Sequence, residues 1–113
     1  MNCRVVFYPL FEREVKRLAK HYPSFKDDLR KLVLELKTNH YSGVELSPGI
    51  RKMRMSIKSK GKGKSGGARV ITLLATISEE DLEVGLHYIY DKSSRTSISD
   101  SEIRRILAKN GIL

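Results

Sequence analysis

Ile50-Arg-Lys-Met-Arg-Met-Ser-Ile57 alternates along its length. Met53, Met55 and Ile57 fall on one side of an extended chain, and Lys52, Arg54 and Ser56 on the other. The first side needs a core to cover it, whereas the second is cationic rather than neutral. Such a strand belongs in a sheet with one buried face.

The segments after it supply further strands. Lys58 to Ala68 reads KSKGKGKSGGA, with four lysines and four glycines, and is expected to be a mobile, basic connection without a packed core. Arg69 to Ile77 and Val84 to Tyr90 are β-rich runs joined by the polar turn Ser78-Glu-Glu-Asp81, which predicts a hairpin. Asp91 to Ser97 is a polar loop carrying Lys92 and Arg95. Ser99-Asp-Ser-Glu102 is a capping box opening a last helix, with Ile103, Ile106 and Leu107 inward and Asn110-Gly111 at its end.

The segments before it supply a strand and two helices. Cys3 to Tyr8 is a β-branched and aromatic strand. Phe11, Val15, Leu18, Ala19 and Tyr22 form a helical stripe, and Phe25, Leu29, Leu32, Val33 and Leu36 repeat its spacing. Pro23 stops the first helix, and Ser24 with Asp27 resembles a capping box for the second. His40 to Gly49 has no periodicity and reads as a connector. The order β-α-α-β-β-β-α predicts one α+β domain over residues 1–113. Two N-terminal helices pack on a mainly antiparallel, about four-stranded sheet, followed by a C-terminal helix.

The chain has 113 residues, 40% of them hydrophobic, which suits a single core. Its one cysteine, Cys3, excludes an internal disulfide, fits a reducing compartment and is expected to be a buried filler. No apolar run approaches the length of a membrane span, and Val5 to Leu10 is too short for a secretory leader, so a cytoplasmic protein without membrane partners is expected. Twenty-two Lys and Arg against 13 Asp and Glu give a net charge of +9, which favours polyanionic partners.

Gly63-Lys64-Ser65 invites a phosphate-loop reading, which fails: Lys58 stands where the motif needs glycine, and a strand rather than a helix follows. His21, His40 and His87 are scattered without metal-ligand spacing, so no metal or other cofactor is expected. His21 reads as a solvated helix end and His87 as a satisfied sheet residue. Glu79, Glu80 and Asp81 read as a solvated turn. What remains is a cationic group on separate strands: Lys52 and Arg54, then Arg69, then Lys92 with Arg95. On neighbouring strands these would converge on one rim and could stabilise the charge of a phosphoryl transition state without metal. The plain alternative is that such cations guard strand edges and face water.

Phe11-x3-Val15-x2-Leu18, Pro48-Gly-Ile-Arg-Lys-Met-Arg54, Lys62-Gly-Lys-Ser-Gly-Gly-Ala-Arg-Val-Ile71 and Tyr90-Asp-Lys92 occur in that order. Together they resemble the HigB branch of the RelE/ParE toxin superfamily over nearly the whole chain. The resemblance implies a RelE-like fold and the toxin of a type II toxin–antitoxin system. Such a toxin is an endoribonuclease that enters the ribosome and cleaves mRNA by 2′-hydroxyl attack. It implies a cognate antitoxin, often one with a helix-turn-helix, and an acidic antitoxin segment would quench the +9 surface. Lys52 and Arg54 match the family's basic pair, Arg69 its phosphate clamp, and Lys92 the lysine beside the aromatic Tyr90. Lys58, Lys60, Lys62, Lys64 and Arg95 would contact RNA or ribosome. Many RelE-like nucleases carry a tyrosine or histidine near the start of the last helix, but Arg95 to Asp100 has neither. Proton transfer then falls to Lys92 or Tyr90, or the chemistry rests on electrostatics alone. A gyrase inhibitor of the ParE type and a non-catalytic basic RNA-binding module are the competing expectations.

Overall fold

The computed structural model describes residues 2–113. The two predicted stripes are helices α1 (Pro9–His21) and α2 (Phe25–Thr38). Proline at the start of α1 sets the backbone angle the first turn requires. Phe11 and Leu18 of α1, with Phe25, Leu29, Leu32 and Leu36 of α2, are buried against one face of a sheet. That face is built from Met53, Met55, Ile57, Val70, Val84, Leu86 and Ile89, so the alternation at 50–57 points as expected.

The strands are β1 (Asn2–Phe7), β2 (Val44–Ser47), β3 (Ile50–Met55), β4 (Ala68–Thr76) and β5 (Asp81–Asp91). Their order is β1-β5-β4-β3-β2, with β1 parallel to β5 and the other pairings antiparallel. The sheet thus has five strands rather than about four and is mixed. The extra strand, β2, lies inside the segment read as a connector. Helix α3 (Asp100–Lys109) packs on the opposite face, with Ile103 and Leu107 against Ile71 and, at the margin, Leu73 and Tyr88. Its capping box is formed as predicted, Ser99 accepting from the Glu102 amide.

Strand β5 carries an irregularity that decides which side chains face which way. Ile71 pairs with Tyr88 but Thr72 pairs with Leu86, leaving His87 as an extra residue, a β-bulge. Before it, Leu82, Val84 and Leu86 point at the helix pair. After it, Ile89 and Asp91 do so, and Tyr88, Tyr90 and Lys92 turn to the α3 side.

His87 is not a satisfied sheet residue. Asn110, the C-cap of α3, donates its amide to His87 Nδ1 at 3.0 Å and to the His87 carbonyl at 3.1 Å. Nδ1 is therefore the acceptor and the proton sits on Nε2, which is buried without a partner among the described residues. The ring stacks on Tyr8 with centroids 4.2 Å apart. Burial lowers its pKa from 6.5 to about 4, against the opposing pull of Glu83.

Three local expectations also change. Ser24 does not cap α2; its hydroxyl donates to Asp28, which also accepts from the Lys58 amide. Cys3 is only partly buried, on the edge strand β1. The glycine-lysine segment begins as a 3₁₀ turn at Lys58–Lys60 rather than as a structureless link. Among the described residues no helix is long and apolar enough to cross a membrane.

Candidate functional site

Helix α3 covers only part of its face of the sheet. Beyond it, Arg54 pairs in register with Arg69, and Arg69 with Tyr90, so three strands present one row of side chains. β2 accompanies β3 only as far as Val44↔Lys52, which leaves the edge of β3 from Met53 to Met55 without a strand partner. Along that edge opens a cleft of about 580 Å³, walled by Lys52, Arg54, Lys64, Arg69 and Lys92. Val44, Leu46 and Met53 add apolar surface, and Glu35 is the only acidic residue lining it.

Of the sequence-predicted cations, Lys52, Arg54, Arg69 and Lys92 are thus brought together, but not for the same use, and Arg95 does not line the cleft. Among the described residues, Lys52 and Arg54 pair with no carboxylate; Arg54 is exposed and Lys52 half-buried. Arg69 is buried. Its Nη1 donates to the carbonyls of Lys64 and Ala68 at 3.1 and 3.2 Å, and its Nη2 to that of Ser65 at 3.1 Å. It therefore clamps the loop that carries Lys64 over the cleft, while its positive charge has no carboxylate partner among the described residues. Lys92 donates to the Thr96 carbonyl at 2.9 Å. Lys64 meets Glu35 at 3.8 Å across open surface.

Tyr90 is buried, its hydroxyl has no partner among the described residues, and the Arg95 guanidinium covers the ring at 5.4 Å from the centroid. Burial pushes its phenol above the usual range, with Arg69 and Arg95 opposing. It stays neutral at physiological pH and is suited to donate a proton rather than accept one. Arg95 is held by Glu102 at 2.7 Å.

Lys62 is exposed, as is Lys58. Lys60 lies outside the cleft. Its ammonium sits 2.6 Å from Asp91 and 5.6 Å from the Tyr22 ring centroid. Asp91 also accepts from Tyr22, from the Ser93 amide and from the Ser93 hydroxyl. Burial would raise its pKa, but the donors from Lys60, Tyr22 and Ser93 outweigh it and hold the carboxyl well below the usual carboxylate range. The sequence reading missed Asp91 and Glu35. Asp91 had one signal, an acid ending an aromatic strand beside a lysine-rich loop; Glu35 had none.

Among the described residues no group of three or more His, Cys, Asp or Glu side chains is placed to hold a metal ion. No protein-family model matches the sequence, and a search of curated proteins finds no match.

Proposed function

We propose that the protein is a type II toxin of the RelE/HigB kind, a ribosome-dependent endoribonuclease acting on mRNA in the cytoplasm. The observation that carries this reading is the convergence of Lys52, Arg54, Lys64, Arg69 and Lys92 on one open cleft with a single carboxylate at its border. Five cations with so little internal compensation make a site for a polyanion.

The chemistry such a cleft favours is transfer at a phosphodiester. The ribose 2′-hydroxyl gives its proton to water as its oxygen attacks the adjacent phosphorus, the bond from phosphorus to the 5′-oxygen breaks, and a 2′,3′-cyclic phosphate and a 5′-hydroxyl result. Charge grows on the non-bridging oxygens, where the charges of Lys52, Arg54 and the held Arg69 lower the barrier. Arg69 adds rigidity by fixing the Lys64 loop. Tyr90, held neutral, can pass a proton to the departing 5′-oxygen once its buried hydroxyl is uncovered, and Lys92 lies beyond it on the same face. An acidic segment of a cognate antitoxin would occupy the same cations and block RNA.

A second reading, a non-catalytic RNA-binding module, is favoured by one observation: the Tyr90 hydroxyl is buried and has no partner among the described residues. Induction of the chain in a bacterium, with 5′-end mapping of mRNA and an Arg54→Ala control, separates the possibilities. In-frame cuts within translated codons, absent in the control, are expected. Growth arrest over intact mRNA would replace this reading with gyrase inhibition. Neither arrest nor cuts from folded protein would leave the binding module.

A further inference from the structure

The cationic cleft does not end at Arg54 and Lys64. The same two residues, with Glu35, also wall a second depression of about 230 Å³ on the α2 side of β3, where Lys31 and Lys58 stand. The two depressions are therefore one groove that follows the uncovered edge of β3 and rounds it toward α2. Lys31 and Lys58 are exposed and pair with no carboxylate among the described residues. The acid beneath them, Asp28, is buried and already accepts from Ser24 at 2.6 Å and from the Lys58 amide at 3.1 Å.

We propose that this second depression is a subsite for the phosphate backbone of the same single RNA strand that enters the cleft, held by Lys31 and Lys58. The inference deepens the nucleic-acid reading and rests on it. Lys52 and Arg54 stand two residues apart on a strand, about 7 Å, which lets each meet a separate phosphate. Lys64 stands where the two depressions meet, and its contact with Glu35 closes the junction. That contact is long, 3.8 Å, and both side chains are open to water, so it is weak and a phosphate can take the place of Glu35. Glu35 then acts as a charge at the gate: it repels backbone phosphate and releases Lys64 only to a strand long enough to pass.

The test uses binding alone, so it stands or falls separately from the nuclease reading. Fully 2′-O-methylated RNA, labelled at the 5′ end and three or eight nucleotides long, cannot be cut by 2′-hydroxyl attack. Anisotropy titrations across a salt series give an affinity and a salt slope for each length. For the octamer, the Lys31→Ala/Lys58→Ala double variant should lower the slope by about 1.4, two phosphate contacts on a single strand, and weaken binding roughly tenfold at low salt. The trimer should be unaffected. Glu35→Gln should tighten the octamer several-fold and the trimer by less, since Glu35 borders the cleft as well as the second depression. A double variant with the wild-type octamer slope, or equal losses for both lengths, would overturn the subsite. So would an octamer that fails to bind while an acidic polypeptide binds with the same sensitivity to Lys31 and Lys58. Length-dependent RNA binding in a protein that cuts no mRNA would sustain the subsite and remove the nuclease reading only.

Discussion

The Lys60 ammonium and the Asp91 carboxylate meet at 2.6 Å with their side chains only 7% and 10% exposed. They join the start of the glycine-lysine loop to the end of β5, the two chain segments that flank the cleft. Replacing one partner strands the other charge where water cannot solvate it, at a cost of about 3 kcal/mol. Lys60→Met should therefore lower the urea midpoint substantially. Unfolding curves that overlay those of wild type would show that the pair contributes nothing.

The opposite holds for Lys52 and Arg54, whose charges pair with no acid. Arg54→Ala should shift stability by no more than about 0.5 kcal/mol, as for other surface positions. If the cleft stabilises a phosphoryl transition state, the same change should cut mRNA cleavage on the order of a hundredfold. Thermal melts beside 5′-end mapping give both numbers, and full cleavage by Arg54→Ala would remove it from the site.

Arg69 combines both roles. Its planar fork reaches the carbonyls of Lys64 and Ser65 together, which the single ammonium of a lysine cannot do with the same geometry. Arg69→Lys should keep the charge yet release the loop. Limited proteolysis within 61–66 should accelerate and cleavage activity should fall by about tenfold or more, given the usual sensitivity to misplaced groups. Activity and protease resistance both equal to wild type would show that charge alone matters.

The fold should weaken in mild acid because of His87. Its pKa is about 4 in the folded chain against 6.5 ordinarily, so the unfolded chain takes up the proton first as pH drops. Stability is complete above about pH 6.5 and falls steadily toward pH 4, with the loss levelling below that. Asp91, whose folded pKa is lowered, adds a separate loss only at more acid pH. The melting temperature should fall several degrees more between pH 7 and 4.5 for wild type than for His87→Gln. Parallel pH profiles for the two would contradict the assignment.

The parts of this fold that were legible in the sequence are those with a repeated local pattern. The stripes of α1 and α2, the alternation of β3, the Ser78–Asp81 hairpin and the Ser99–Glu102 cap all depend on neighbours in the chain. Strand β2 was not legible, because all four residues of Val44-Glu-Leu-Ser47 are exposed and neither face carries a core pattern. Nor was the parallel pairing of β1 with β5, which joins residues nearly 80 positions apart, Asn2 with Asp81. Of the cleft, Lys52 and Arg54 could be read from their alternation. Lys60 could not be told from its neighbours in KSKGKGK, since only the fold brings Asp91 and Tyr22 to it. A glutamate on α2 gave no hint that it would face Lys64.

The bulge at His87 has a consequence for how the cleft is specified. Alternation along a strand behaves like a phase, and one extra residue advances it by half a period for everything that follows. Deleting a single residue there would carry Asp91 toward the cations of the cleft and turn Lys92 inward to the helices. The charge of that surface is therefore encoded in a count of residues along β5 as much as in their identities, and a one-residue change of length would take the cleft from five cations against one carboxylate to four against two.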